Sequence, residues 1–387
     1  MKILHTSDWH LGKKLEGMKR IDEQKKFIDN LEKIVKEERP KVILIAGDIF
    51  DTSNPSAEAE KLFFDSIKRL SNFGERAIII IPGNHDSSER LVAANSLAKE
   101  FGIIIYEKPY EIKEKGIYGK FKILESCRGG ALLEIEGEKI YVYSLPYPNE
   151  VALNEIFEEN SYSKRVGEIL AEGISYKPEK VPGVIMTHIF VSGASGDGDE
   201  RNIELGGSLA VSLEDLPEAD YIALGHIHKP MKFSSKRAYY SGSPIEYRFT
   251  ESKFGKKIFV AELKGEYRTE IKEIELENYK PIKEYKVDSI ESAIELIEEL
   301  KDREEWIYLT IFTDRHLTSQ EVRKIKTNKN VVEIIPVVQK ERRSSLNAEE
   351  YTNYNIKDIF IEFCRQEEEK VSEGMVDLFM KLVGDDI

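Results

Sequence analysis

Five of the chain's seven histidines fall into one ordered set of short motifs, and that set constrains the fold more than any other feature. In order, the motifs are Asp8-Trp9-His10, Gly47-Asp48, Gly83-Asn84-His85-Asp86, Thr187-His188 and Gly225-His226-Ile227-His228. Each begins one to four residues after a short apolar run: Ile3–His5, Val42–Ala46, Ala77–Ile81, Val184–Met186 and Tyr221–Leu224. Short runs that are apolar throughout fit strands of a sheet covered on both faces. The carboxyl ends of such strands share one edge, and ligands bind there. Segments far apart in sequence can therefore converge.

The converging groups are imidazoles, carboxylates and one carboxamide, with no thiolate. That chemistry suits a first-row divalent metal such as Mn, Fe or Zn. The donors outnumber what one ion needs, which points to two ions. Taken singly, each motif reads as a turn or a cap. The ordered set reads as an enzyme.

Composition sets the outer bounds. A chain of 387 residues with 41% apolar content can fill two or three domains. No apolar run reaches the roughly 18–20 residues that span a bilayer, and Met1-Lys2-Ile3-Leu4-His5 runs straight into the first motif without a signal-peptide pattern. Cys127 and Cys364 lie outside every motif, so a reducing cytoplasm is expected, with no disulfide framework. The formal charge of −14 argues against a generic nucleic-acid binder. Half of that excess sits in residues 346–387, which hold 4 Lys/Arg against 11 Asp/Glu. Between Lys13 and Lys26 the balance reverses, with Lys13, Lys14, Lys19, Arg20, Lys25 and Lys26 against three acids. Bound divalent ions would add positive charge at the site itself. A polyanionic substrate thus stays open, with Lys13, Lys14, Lys19 and Arg20 as its candidate contacts; a solvated loop and helix face is the plain alternative.

The first half alternates strand and helix, with helices at roughly 20–38, 55–72 and 88–101. Asn54 as N-cap and Pro55 as first helical residue would open the second of these. Segment 117–145 reads as antiparallel hairpins, and 238–274 as another strand-rich stretch. Parallel βα units plus such strands predict two packed sheets with helices outside. After Tyr279-Lys280-Pro281 the composition changes. Residues 280–340 read as a small α/β capping domain without motif donors, and 341–387 as a linker and helical tail. The tail carries two apolar stripes, Ile356, Ile359, Phe360, Phe363 and Met375, Leu378, Phe379, Leu382, on acidic helices. His5 reads as structural and His316 as solvated. Gly193–Gly207 lacks the Gly-Lys-Ser/Thr of a P-loop and reads as a loop after His188.

Over residues 1 to about 275 the ordered set resembles the calcineurin-like metallophosphoesterases, which fold as an α/β/β/α double-sheet sandwich. That resemblance implies that Asp8, His10, Asp48 and His228 hold one metal, and that Asp48, Asn84, His188 and His226 hold the other, with Asp48 bridging. His85 would stay unligated beside the scissile phosphate as general acid or transition-state stabiliser. Asp51 would either orient His85 or serve a plain turn. Two ions about 3.5–4 Å apart lower the pKa of a bridging water and neutralise phosphate oxygens. The phosphoprotein phosphatases carry an arginine after Gly-Asp-x-x-Asp, and Gly47–Pro55 has none, which counts against that branch.

Ile3–Gly12, Gly47–Pro55, Pro82–Asp86 and Tyr240–Pro244 resemble the SbcD family of DNA-repair nucleases. The resemblance implies a Mn²⁺-dependent DNA phosphodiesterase, acting as exonuclease on duplex ends and endonuclease on single strands or hairpins, in the cytoplasm at the nucleoid. It also implies an SbcC-type, SMC-like ATPase docked on the C-terminal helices, and a homodimer formed through helices 55–72 and 88–101. Both helices carry apolar residues at helical spacing, Leu62, Phe63, Ile67 and Leu70, then Leu91, Ala94, Leu97, Ala98 and Phe101. Packing on the sheet explains most of that pattern, and Phe63 beside Phe64 widens the first face beyond one stripe and leaves surface for a partner helix. The rival readings are a cyclic-nucleotide or phosphomonoester hydrolase of the same fold, and a scaffold that has lost the chemistry. Every expected ligand position is intact, against the scaffold.

Overall fold

A computed structural model describes residues 1–92, 98–157, 161–193 and 209–338, together with 357, 360, 361, 374–376 and 379. Contacts divide the chain into two units, Met1–Ile311 with Thr318–Ile335, and Phe312–Leu317 with Pro336–Ile387. Most of the expected capping segment, residues 280–311 and 318–335, belongs to the first unit.

The first sheet has six strands. Lys2–Thr6, Val42–Ala46, Ala77–Ile81 and Ile103–Ile105 run parallel, and Lys257–Leu263 and Thr269–Glu275 are added antiparallel beyond Lys2–Thr6. The second sheet has eight. Gly183–His188, Tyr221–Gly225 and Ala238–Tyr240 run parallel to Glu138–Leu145, with Met231–Phe233 antiparallel at the edge, and the meander over Gly116–Tyr118, Phe121–Cys127 and Gly130–Ile135 extends the other side.

Side-chain alternation then builds four layers. In Val42–Ala46, Ile43 and Ile45 face helices Ile21–Glu38 and Ala57–Leu70, while Val42, Leu44 and Ala46 face the second sheet. Val184 and Met186 meet them from that sheet, and Ile185 turns outward with Ile222 and Leu224 toward helix Ser161–Ser175. Three apolar layers between four structural ones are the expected α/β/β/α sandwich. The central strands are buried on both faces, which explains their unbroken apolar runs.

Two local expectations change. Helix Ala57–Leu70 is capped by Ser56, whose Oγ accepts from Ala59 N at 3.3 Å. Asn54 Oδ1 instead accepts from Arg90 at 2.6 Å. Helix Ser88–Val92 begins where expected, but Ala94 and Leu97 lie outside the described residues, as do Cys364 and residues 194–207. Cys127 is a free thiol. Among the described residues no helix is long and apolar enough to cross a membrane.

The capping segment forms a sheet of Ile282–Val287, Trp306–Thr313 and Val331–Val338 with helices Ile290–Glu299 and Ser319–Ile325. It is joined to the core through Trp306, whose indole N–H donates to Glu23 at 2.9 Å, and through Glu246, which accepts from Ile282 N at 2.8 Å. In the second unit Phe360 and Phe379, one from each tail stripe, stack with ring centroids 3.9 Å apart. Ile356, Ile359, Phe363, Leu378 and Leu382 lie outside the described residues.

Candidate metal centre

All five motifs meet at one edge of the sandwich. Beyond the strands the first two loops stay zipped together, with Asp8 N donating to Gly47 O, His10 N to Asp48 O and Leu11 N to Ile49 O at 2.9–3.0 Å. Turning side chains inward at a strand end requires unusual backbone. Asp8, His10, Asp48 and His226 all have positive φ, at 53°, 42°, 50° and 102°. Conformations of this kind cost of order 1–3 kcal/mol each and persist where the surroundings enforce them. The neighbouring glycines are equally constrained. A β-carbon at Gly47 would strike the His188 ring, one at Gly83 the Asp48 carboxylate, and one at Gly225 the carbonyl of Ala46.

The carboxylates are held from one side and open on the other. Asp48 Oδ1 accepts from His85 N at 3.0 Å, and Oδ2 lies 3.5 Å from His10 Nε2 and 3.4 Å from His188 Nε2. Asp8 Oδ1 accepts from His226 N at 3.0 Å, and Oδ2 accepts from Ser7 Oγ. Ligand atoms of Asp8, His10 and His228 fall within 4.8 Å of one another, as do those of Asp8, Asp48 and His188. A third such group is His10, Asp51 and His85. Asn84 Oδ1 stands 3.1 Å from both His188 Nε2 and His226 Nδ1.

The histidine tautomers test whether this set fits a cation. His188 Nδ1 donates to Ala46 O at 2.8 Å, and His228 Nδ1 donates to the Glu251 carboxylate at 2.8 Å. Each therefore presents an Nε2 lone pair inward. There it meets other acceptors: Asp48 and Asn84 Oδ1 for His188, and His10 Nε2 at 3.0 Å for His228. An enclosed ring of acceptors calls for positive charge at its centre. Titration states the same demand. Burial pushes His188 down, but Asp48 and Asp8 outweigh it and raise its pKa to about 9. Burial raises the Asp8 carboxyl, and holds His10 well below the usual imidazole range. Asp48, which burial pushes up, is carried well below the usual range by His188, His10 and His85. The residues fit divalent metal ions.

His85 is held differently. Its Nδ1 donates to the main-chain carbonyl of Asp51 at 2.9 Å, which leaves Nε2 as its second functional atom. Asp51 thus fixes His85 through its backbone, while its carboxylate accepts from Lys13 at 2.8 Å. Of the candidate phosphate contacts, Lys13, Lys14 and Lys19 line a cleft of about 600 Å³ beside Asp51, together with Thr52, Asn54 and Ser56. Arg20 also borders this cleft but is a correction. Its side chain is buried, with its guanidinium donating to Glu23 and to Glu246 O at 2.5–2.6 Å and stacked toward Trp306, so it joins the capping segment to the core. His5 is structural as expected: buried, 3.0 Å from Tyr221 OH, with a pKa lowered to about 3 by burial. His316 is exposed.

Sequence reasoning missed three supporting residues. Asp86 accepts from Ile49 N, Phe50 N and Gly83 N at 2.9–3.0 Å and so locks the second and third loops together. Gln24 donates to His10 O at 2.8 Å and accepts from Gly12 N at 2.9 Å. Glu251, fully buried behind His228, accepts from Lys256, Ser243 Oγ and Tyr247 N. Burial pushes its carboxyl up, but Lys256 and His228 outweigh this and hold it below the usual carboxylate range. Asp86 sits inside a motif already in view, and Ser243 inside Ser241-Gly242-Ser243-Pro244. Nothing around Glu251 marked it.

The chain is similar to several known proteins. The sequence profile of the calcineurin-like phosphoesterases matches residues 1–230. The SbcD component of the SbcCD nuclease of Bacillus subtilis (strain 168) is 34% identical over 397 aligned positions, covering 99% of this chain and 97% of its own length. The protein of the same name from Staphylococcus epidermidis is 27% identical, covering 87% of this chain and 86% of its own. A crystal structure of a Thermus thermophilus protein aligns with a TM-score of 0.38 and 12% identity, over 70% of this chain and 97% of that one.

Proposed function

The chain belongs to the calcineurin-like phosphoesterase family, and within it to the SbcD nucleases, and from that premise we propose a two-metal DNA phosphodiesterase of repair and recombination. The observation that carries this reading is the ring of inward-facing acceptors shared by Asp48. Asp8, His10, Asp48 and His228 would hold one ion, and Asp48, Asn84, His188 and His226 the other, with Mn²⁺ the expected metal. When bound, such a pair supplies hydroxide near neutral pH and neutralises phosphate charge.

The protein's own residues do the rest. Asp51 O keeps the proton of His85 on Nδ1 when the ring is neutral, and orients the ring. In its protonated form the ring carries a second proton on Nε2, which would pass to the departing alkoxide and leave the neutral Nδ1–H ring, or would stay on Nε2 and stabilise the charge the alkoxide carries. Lys13, Lys14 and Lys19 offer cations along the adjacent cleft, where a DNA backbone would run. The expected activities are exonuclease on duplex ends and endonuclease on single strands and hairpins, in the cytoplasm at the nucleoid. The tail, whose two stripes meet at Phe360 and Phe379, is the proposed dock for an SbcC-type ATPase. Leu62 and Phe64, half-buried on helix Ala57–Leu70, leave apolar surface for a homodimer.

One experiment tests the core of this reading. Labelled duplex, single-stranded and hairpin DNA, and cyclic nucleotides, are offered with Mn²⁺ or Mg²⁺ to the full chain and to a chain ending at Arg343, each with and without the ATPase. Metal-dependent DNA cleavage by both chains, with ATPase capture by the full chain alone, is the expected result. Turnover of cyclic nucleotides without DNA cleavage would replace the nuclease reading with its rival.

A further inference from the structure

The row of donors runs from Lys13 and His85 at one end to His188 and His226 at the other. At that second end stands an aromatic ring with no role in the steps above. The ring centroid of Tyr147 lies 6.2 Å from that of His188, edge-on, and 6.2 Å from that of His226, inclined by only 20°. It follows strand Glu138–Leu145 by two residues, and so sits at the edge where the motifs converge. Pro146 and Pro148 restrict the backbone on both sides of it. Its own N–H donates to Pro82 O at 3.4 Å, which ties it to the Gly83-Asn84 loop. The ring is half-buried.

The segment beyond it is anchored in the core and exposes two large apolar side chains. Asn149 caps helix Glu150–Leu153, and Leu153 and Phe157 pack into the core under the second sheet. Val151 and Ile156 on the same segment are 88% and 92% exposed. A single exposed apolar side chain needs no explanation. Two of them follow closely in sequence on a pre-set aromatic ring at the edge where the motifs converge.

We propose that Tyr147 is a stacking platform for an unpaired nucleobase next to the scissile phosphate, with Val151 and Ile156 extending the apolar surface beneath the following nucleotide. The proposal rests on the reading of the substrate as DNA and narrows it. A phosphate gripped between the two halves of the centre has one flanking nucleoside on the lysine side and one on the Tyr147 side. A base within a duplex has both faces covered by its neighbours, so only an unstacked base can use the ring. Single strands, hairpin loops and frayed ends supply one. Stacking on an aromatic ring tolerates any base, so Tyr147 selects strand state without selecting sequence. Tyr147 is a specificity-determining residue and takes no part in bond cleavage.

The test uses the full chain with Mn²⁺ and a single-stranded oligonucleotide, either intact or with abasic positions. Tyr147→Ala is expected to raise KM on the intact strand on the order of ten- to a hundredfold, with kcat and metal content little changed. Tyr147→Phe and Tyr147→Trp should keep the wild-type KM. On the abasic strand wild type and Tyr147→Ala should be alike. The two native tryptophans, Trp9 and Trp306, are buried, so fluorescence of the Tyr147→Trp protein should be quenched by the intact strand and not by the abasic one. An unchanged KM in Tyr147→Ala overturns the proposal while leaving the nuclease reading intact. An equal loss on intact and abasic strands, with falling metal content, overturns it in favour of mere support for His188 and His226. A wild-type protein that cleaves no DNA removes the nuclease reading and this proposal together.

Discussion

His188 and His228 approach the centre from the same sheet with the same atom, yet they are backed in different ways. Behind His188 is the main-chain carbonyl of Ala46, from the neighbouring sheet. Behind His228 is a buried carboxylate, Glu251, itself gripped by Lys256 and Ser243. Both partners fix the tautomer. Both raise the basicity of the imidazole they hold, and the charged carboxylate does so more strongly than a neutral carbonyl. The two halves of the centre are thus built with unequal donors, and the half that contains His228 should bind its ion more tightly. The backing also differs in what a substitution can reach: no side-chain change at Ala46 removes its carbonyl, whereas Glu251 can be replaced.

The largest expected effect abolishes the comparison altogether. Asp48 Oδ2 faces both halves, so Asp48→Ala should lose both ions and all cleavage above background. Metal content by atomic emission, measured beside nuclease rate, checks this, and retention of one full equivalent would show that Asp48 is not shared. The next effect leaves both halves standing. His85→Gln should keep both ions, because His85 faces the site from the Asp51 side, and should slow cleavage by about 10²–10⁴-fold. A lost ion would turn His85 into a ligand, and a near-normal rate would remove it from the chemistry.

What the sequence disclosed about this centre and what it concealed follow the same division. Asp8, His10, Asp48, Asn84, His85, His188, His226 and His228 were legible because each follows a strand whose apolar run is visible on its own, and strand ends must share an edge. The sandwich was legible for the same reason, since strands buried on both faces require two covering layers. The groups behind the ligands come from elements without such periodicity. Glu251 lies on a short 3-10 turn, Phe249–Lys253, where one more glutamate among many carries no mark. Arg20 misled because charge alone does not reveal burial; its partners Glu23 and Glu246 are three and 226 residues away. Asp51 stands beside His85, but the bond comes from its carbonyl, which any residue would supply.

The smallest expected effect is the one that measures the inequality directly. In the wild type Glu251 Oε2 accepts from Lys256, Ser243 and Tyr247, and Oε1 accepts from His228 Nδ1. In Glu251→Gln three donors still compete for one side, so the amide oxygen should turn toward them. The amide NH₂ then faces His228 Nδ1 and can only donate to it. His228 must answer as an acceptor at Nδ1, which moves its proton to Nε2, the atom that should carry the lone pair for the metal. Loss of a partner behind a ligating histidine typically weakens metal binding about 10–100-fold. Calorimetric titration with Mn²⁺ should therefore show one of two binding steps weakened and the other unmoved. Lys256→Met is the contrasting variant. It strands the buried Glu251 charge and should cost about 3–5 kcal/mol of stability, yet Glu251 still accepts from His228, so both binding steps should stay in place. If Glu251→Gln weakens both steps alike, or if Lys256→Met weakens the first as much as Glu251→Gln does, the carboxylate acts by holding the fold together and the two halves are not distinguished by their backing.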